Sequence, residues 1–284
     1  MDSWQTSWVI IQSDRDERYR EILIAPVRTC ADFKPMMGQK EPVDLNGFTS
    51  LYGSDPFYHW IGLDDPKMFA VHKASGGMTS VYRQVGIGGE RLVREVLQDS
   101  LGLNSEDVKW GYNVPVLGED GNPLLNKAGE VKTRRLDLDG RIPLDKVSDG
   151  ATQERVKAWV EKRKTAHGIT VPLNGAVFEV RQGYKSADSK RQNGDLTNAT
   201  HAIGKGYLPV LMVLSEQMNF SVQTRYRASN WTVLMGDLTD DTDTSTFAFF
   251  HDVVGYDLQA FFERQTEAIR SEVAGILSGL LATE

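Results

Sequence analysis

Val177 to Gln192, VFEVRQGYKSADSKRQ, places an acid, Glu179, inside an apolar run and follows it with a segment dense in Lys, Ser, Asp and Arg. A carboxylate on a buried strand is unfavourable unless a cation satisfies it. A metal ion, Arg181 or Lys185 could do so. The polar residues after the run are of the types that meet phosphates or base edges. Metal-assisted hydrolysis of a phosphodiester uses both halves. It needs an activated water, a Lewis acid at the phosphate and a cation near the developing charge, and Mg²⁺ held by carboxylates supplies the first two.

Those acids must reach one point from neighbouring strands. Alternation puts Val177, Glu179 and Arg181 on one face of their strand, and Asp137 and Asp139 on one face of theirs. Asp139 precedes Gly140, where a strand can end and a metal can enter. Each feature also has a structural reading. Glu179 can pair with Arg181 inside the sheet, Asp-Gly is a common turn dipeptide, and Lys190 and Arg191 can lie on a solvated helix face.

The elements needed to position these residues can be read from periodicity. GGERLVREVLQDSLGL, from Gly88, carries Leu92, Val93, Val96, Leu97 and Leu101 at helical spacing and ends at Gly102. Strands are predicted at Lys109–Leu117 and Lys132–Ile142, separated by the turn-rich GEDGN. A polar helix or insertion is expected at Thr152–Ala166, a strand at Gly175–Gln182, a helix at Asp188–Ile203, and strands at Tyr207–Leu214 and Asn230–Met235. The second and third strands suggest antiparallel pairing, and the strand–helix–strand unit from Gly175 to Leu214 a parallel pair. The fold class is therefore α/β, a central mixed β-sheet flanked by helices. Before it, Trp8–Gln12 and Glu21–Val27 are short apolar stretches, and Leu51–Pro66 reads as loops packed down by aromatic rings. An apolar stripe over Thr246–Leu281 predicts one or two amphipathic helices closing the chain.

Element order and strand position, with an Asp on the second strand and Glu-x-Arg on the third, resemble the PD-(D/E)XK nuclease superfamily, which includes many type II restriction endonucleases. The resemblance covers roughly residues 86–236. It implies a restriction endonuclease-like core, with 1–85 as an N-terminal elaboration and 237–284 as C-terminal helices of one nuclease domain. It further implies Mg²⁺ held by Asp139 and Glu179, a helper carboxylate at Glu90, and a catalytic cation. The family usually has Lys two residues after the acid, where this chain has Arg181. Arg keeps the charge but gives up a proton poorly, so either Arg181 or Lys185 takes that place.

KSADSKRQNGDL is also similar to the segment with which one group of restriction enzymes reads short GC-rich palindromes. That similarity implies DNA contacts from Lys185, Ser186, Asp188, Ser189, Lys190, Arg191, Gln192 and Asn193, with Asp195 as a relocated carboxylate. The expected activity is site-specific cleavage of double-stranded DNA by a homodimer. A noncatalytic DNA-binding protein on the same scaffold, or a repair or RNA-directed nuclease of the superfamily, remain the alternatives.

The totals are compatible. Formal net charge is -7, from 32 Lys and Arg against 39 Asp and Glu. This argues against nonspecific coating of nucleic acid but allows a local basic cleft. The single cysteine, Cys30, excludes an internal disulfide and a cysteine metal cluster. Apolar runs are too short to span a bilayer and Met1–Ser13 lacks the features of a signal sequence, so a cytoplasmic protein is expected. GIGGE at Gly86–Glu90 lacks phosphate-loop spacing, no GxSxG elbow occurs, and the five histidines show no ligand spacing.

Overall fold

Gly175–Arg181 is the centre of the larger sheet because all seven of its residues are buried, as expected for a strand covered on both faces. The computed structural model describes residues 3–183 and 198–282, with side chains from residue 12 onward. The chain divides into two compact units, residues 1–92 with 259–284, and residues 93–258.

The first unit is helical. It contains α1 (Ser3–Arg28), α2 (Leu45–Gly53), α3 (Pro56–Trp60), most of α4 (Pro66–Leu101) and most of α9 (Leu258–Leu281). Tyr19, Leu23, Ile24 and Val27 form the buried stripe of α1. Asp16, also buried, is held by Arg264 of α9 at 2.6 and 3.1 Å. The expected short N-terminal stretches are thus one continuous helix, which tolerates Pro26 near its end. Leu51–Pro66 is likewise not all loop. Asp44 and Asp55 cap α2 and α3 through their carboxylates. The aromatic packing does occur, with Tyr52 lying 4.5 Å from Phe48 and 4.8 Å from Tyr58, ring centre to ring centre.

The helix expected from Gly88 begins at Pro66. Its glycines hid the N-terminal half, since each disfavours helix by about 1 kcal/mol relative to Ala. Packing accounts for three of them. A side chain at Gly76 would strike Phe33, one at Gly77 would strike Leu280, and one at Gly88 would strike the Leu23 carbonyl.

The second unit is mixed α/β and, among the described residues, holds two sheets. β1 (Trp110–Pro115) and β2 (Thr133–Leu138) form an antiparallel ribbon. The other sheet has the order β3 (Gly140–Pro143), β4 (Gly175–Arg181), β5 (Leu208–Val213), β6 (Thr232–Leu234). β3 pairs antiparallel with β4, while β4–β5 and β5–β6 are parallel. The single strand expected over Lys132–Ile142 is therefore two strands in different sheets, divided at Asp139. α5 (Gly150–Ala166) fits the expected polar helix. The crossover between β4 and β5 contains α6, described over residues 198–204. α7 (Phe220–Ala228) joins β5 to β6.

Val177, Leu211, Val213, Val222, Tyr226, Trp231 and Val233 form much of this unit's core. The expected C-terminal stripe is interrupted. α8 (Thr246–Ala248) runs into a π-helical turn, Phe249–Val254, which ends at Gly255 with φ 88° before α9 begins. Among the described residues, no helix is long and apolar enough to cross a membrane.

Candidate active site

Asp139 stands where the chain leaves the ribbon and enters the four-stranded sheet. Its N–H donates to the Phe178 carbonyl at 2.8 Å. Its Oδ2 accepts the Val180 N–H at 2.8 Å, taking the place of a backbone carbonyl in the ladder to β4. Its own carbonyl is turned aside and accepts two hydrogen bonds from Arg94, at 3.0 and 2.8 Å. The carboxylate is thus fixed at the C-terminal half of β4 by three backbone constraints.

Glu179 and Arg181 lie on one face of β4, opposite Leu211 and Val213 of β5. They form an ion pair between Glu179 Oε1 and Arg181 Nη2. Arg181 Nη1 donates to the Val180 carbonyl at 3.1 Å and lies 3.7 Å from Asp139 Oδ2. The side chains of Glu179, Arg181 and Asp139 are 8%, 10% and 20% exposed, so solvent reaches the group mainly at Asp139. The result is two carboxylates converging on one guanidinium at the C-terminal ends of parallel strands, the end at which open α/β sheets present ligand sites.

Three of the expected residues, Asp139, Glu179 and Arg181, are therefore together. Asp137 is not with them, because the chain divides before Asp139. It is exposed and accepts from Arg135 at 2.8 Å. Glu90 does not open its helix, since α4 begins at Pro66. The stabilisation of an acid by a helix N-terminus cannot apply in a helix interior. Lys185, Ser186, Asp188, Ser189, Lys190, Arg191, Gln192, Asn193 and Asp195 lie outside the described residues. Sequence reading missed Arg94. The signal was a long cation flanked on α4 by the core positions Val93, Val96 and Leu97, where it must find an acceptor.

The donor chemistry of Asp139 and Glu179 fits Mg²⁺, which proteins usually bind through one or two carboxylates, with substrate phosphates and water completing the shell. For Glu179 to act as a ligand, Arg181 must release it. Among the described residues, no group of three or more His, Cys, Asp or Glu side chains could hold a metal ion.

No family model, curated protein or solved structure matches the chain.

Proposed function

We propose that the chain is an Mg²⁺-dependent endonuclease of the PD-(D/E)XK kind, cutting double-stranded DNA at a specific site as a homodimer. The observation that carries this reading is the meeting of Asp139 and Glu179, from separate strands, at the single guanidinium of Arg181. The order β3-β4-β5-β6, with one antiparallel edge and a parallel β4–β5 pair, supports a restriction endonuclease-like core.

Asp139 and Glu179 are the residues that would hold Mg²⁺. When bound, the ion supplies Lewis acidity at the phosphate and lowers the pKa of a coordinated water. The chain supplies position and charge. Val180 N–H holds the Asp139 carboxylate, Arg94 holds the Asp139 backbone carbonyl, and the low exposure of Glu179 keeps its environment dry. Arg181 carries the charge that offsets the negative phosphate as the bond breaks. Lys185 is the alternative cation, and Lys185 to Asn193 is the reading segment.

A noncatalytic DNA-binding protein is the second reading. Its support is that Glu179 is already paired with Arg181 and Asp139 already accepts the Val180 amide, which are sufficient structural uses for both. Incubating plasmid and bacteriophage DNA with the full chain, with and without Mg²⁺, separates the readings. Discrete Mg²⁺-dependent fragments are expected. A smear would indicate a general nuclease, and intact DNA in Mg²⁺ or Mn²⁺ would indicate the noncatalytic protein.

A further inference from the structure

The β1–β2 ribbon continues beyond Pro115 and Thr133 into an arm. Val116 N–H donates to the Lys132 carbonyl at 2.8 Å, Lys132 N–H to the Leu124 carbonyl at 2.7 Å, and Leu124 N–H to the Val116 carbonyl at 2.8 Å. Three stretches of chain thus meet at one point, and two hairpins lead out from it. One sets Leu117 opposite Pro123, the other Leu125 opposite Val131. The second is pinned by Asn126. Its N–H donates to the Glu130 carbonyl at 2.7 Å, and its Oδ1 accepts the Ala128 and Glu130 N–H groups at 2.9 and 3.0 Å. Every residue from 119 to 135 is nevertheless exposed, so the arm has no core of its own.

Val131 is where the arm is open. The second hairpin is closed through the backbone groups of Glu130 and Lys132, so those of Val131, between them, point to the outer edge. Among the described residues, neither the Val131 N–H nor its carbonyl has a hydrogen-bond partner. The Val131 and Leu125 side chains share one face and are 46% and 62% exposed. An open strand edge carrying aliphatic side chains is a template for pairing with another chain. The first hairpin is protected at Pro123, which has no N–H to donate.

We infer that the Val131 edge pairs with the same edge of a second copy of this chain, antiparallel and centred on Val131. The two Val131 residues then exchange N–H···O=C bonds, and Glu130 of each copy stands opposite Lys132 of the other. Two-fold symmetry makes that opposite-charge contact twice. It also joins Leu125 and Val131 of both copies into one row of four aliphatic side chains. Charge selects this register. Centring the pair on Thr133 instead would set Lys132 of each copy against Arg134 of the other, and like charges directly opposite are unfavourable. DNA suits the arm poorly, because Glu119, Asp120 and Glu130 outnumber Lys127 and Lys132 over residues 116–133. The contact is shorter than a standard interface of roughly 20–30 residues a side, so the dimer dissociates on dilution. The inference rests on the nuclease reading only for the use to which the pairing is put.

The test is sedimentation velocity of the full chain at low salt, without DNA, from about 1 to 100 μM. A monomer–dimer equilibrium is expected. Val131→Pro removes the N–H that crosses the seam, at an edge position where Pro is tolerated, and is expected to leave only monomer. Glu130→Lys turns attraction into repulsion on both sides of the seam and is expected to weaken the dimer by about tenfold or more. The double variant Glu130→Lys/Lys132→Glu restores opposite charges and is expected to recover it. Circular dichroism checks that each variant folds. A wild type that stays monomeric over the whole range would overturn the inference. So would a dimer that neither Val131→Pro nor Glu130→Lys weakens. Plasmid cleavage by the same proteins keeps the two readings apart. A monomeric wild type that cuts DNA would remove the pairing and keep the nuclease, whereas a dimer with the expected variant behaviour that cuts nothing would do the reverse.

Discussion

Asp139 Oδ2 accepts the Val180 amide at 2.8 Å, so the carboxylate that ends the ribbon is built into the hydrogen-bond ladder of the central strand. This gives Asp139 a fixed position beside Arg181, at 3.7 Å. One consequence is that Asp139→Asn can keep the bond through its amide oxygen while losing the charge. Asp139→Ala leaves the Val180 N–H without its acceptor, at a cost of about 1–3 kcal/mol. Urea denaturation of the two variants checks the difference, and equal losses would contradict the ladder role.

The Glu179–Arg181 pair makes a second prediction. Both side chains are nearly buried, so removing one partner strands the other charge. Glu179→Ala is expected to cost about 3–5 kcal/mol, whereas Glu179→Leu/Arg181→Met is expected to recover most of that loss. A single variant within about 1 kcal/mol of wild type would show that the pair is too well solvated for this account.

Glycine spacing in the long helices supplies a third. A Cβ at Gly88 would lie 2.1 Å from the Leu23 carbonyl oxygen, and backbone cannot move aside cheaply. Gly88→Ala is expected to lose at least about 1–3 kcal/mol. Gly275, in α9, has nothing within 4 Å of its would-be Cβ. Gly275→Ala is therefore expected to gain up to about 1 kcal/mol. Thermal unfolding of both proteins tests the pair, and the same sign for both would contradict the packing described.

The same glycines mark a limit of the sequence. Hydrophobic spacing located the last turns of α4 from Gly88 to Leu101, where the apolar positions repeat. It missed Pro66 to Ile87, where glycines serve contacts with residues remote in sequence, such as Phe33 and Leu280. β4 and β5 were legible because buried strands read as short apolar runs. The meeting of Glu179 and Arg181 was legible because strand alternation has a period of two. Alternation also put Asp137 on one face with Asp139, a relation that the division of the strand between them removes. Nothing local announces that a strand stops at Leu138 and a second sheet begins at Gly140. Asp139 was found by its place beside Gly140, whereas Arg94 needed the tertiary fold to show its acceptor.

His167 provides a pH-dependent prediction. Burial, with a smaller contribution from the charge of Arg163, lowers its pKa below the usual 6.5. Its Nε2 meets Thr232 Oγ1 at 2.9 Å. The folded protein thus favours the neutral ring and the unfolded chain binds the proton more readily. Stability from this group is complete above about pH 6.5 and is lost as pH falls toward the lowered folded value. Urea midpoints between about pH 7 and pH 5 are expected to fall less steeply in His167→Gln than in wild type. Parallel curves would show that His167 does not contribute.

The central claim is that Asp139 and Glu179 act as a metal-holding pair in DNA cleavage. Asp139→Asn and Glu179→Gln keep side-chain volume and hydrogen-bonding oxygen while removing the charge. The direct measurement is the rate of supercoiled plasmid cleavage in Mg²⁺ by wild type and by each variant, with folding checked by circular dichroism. The account predicts cutting by the wild type and a loss of at least about a hundredfold in each variant. Loss of groups that merely support metal ligands already costs about 10- to 100-fold. Wild-type cleavage rates in both folded variants would contradict it.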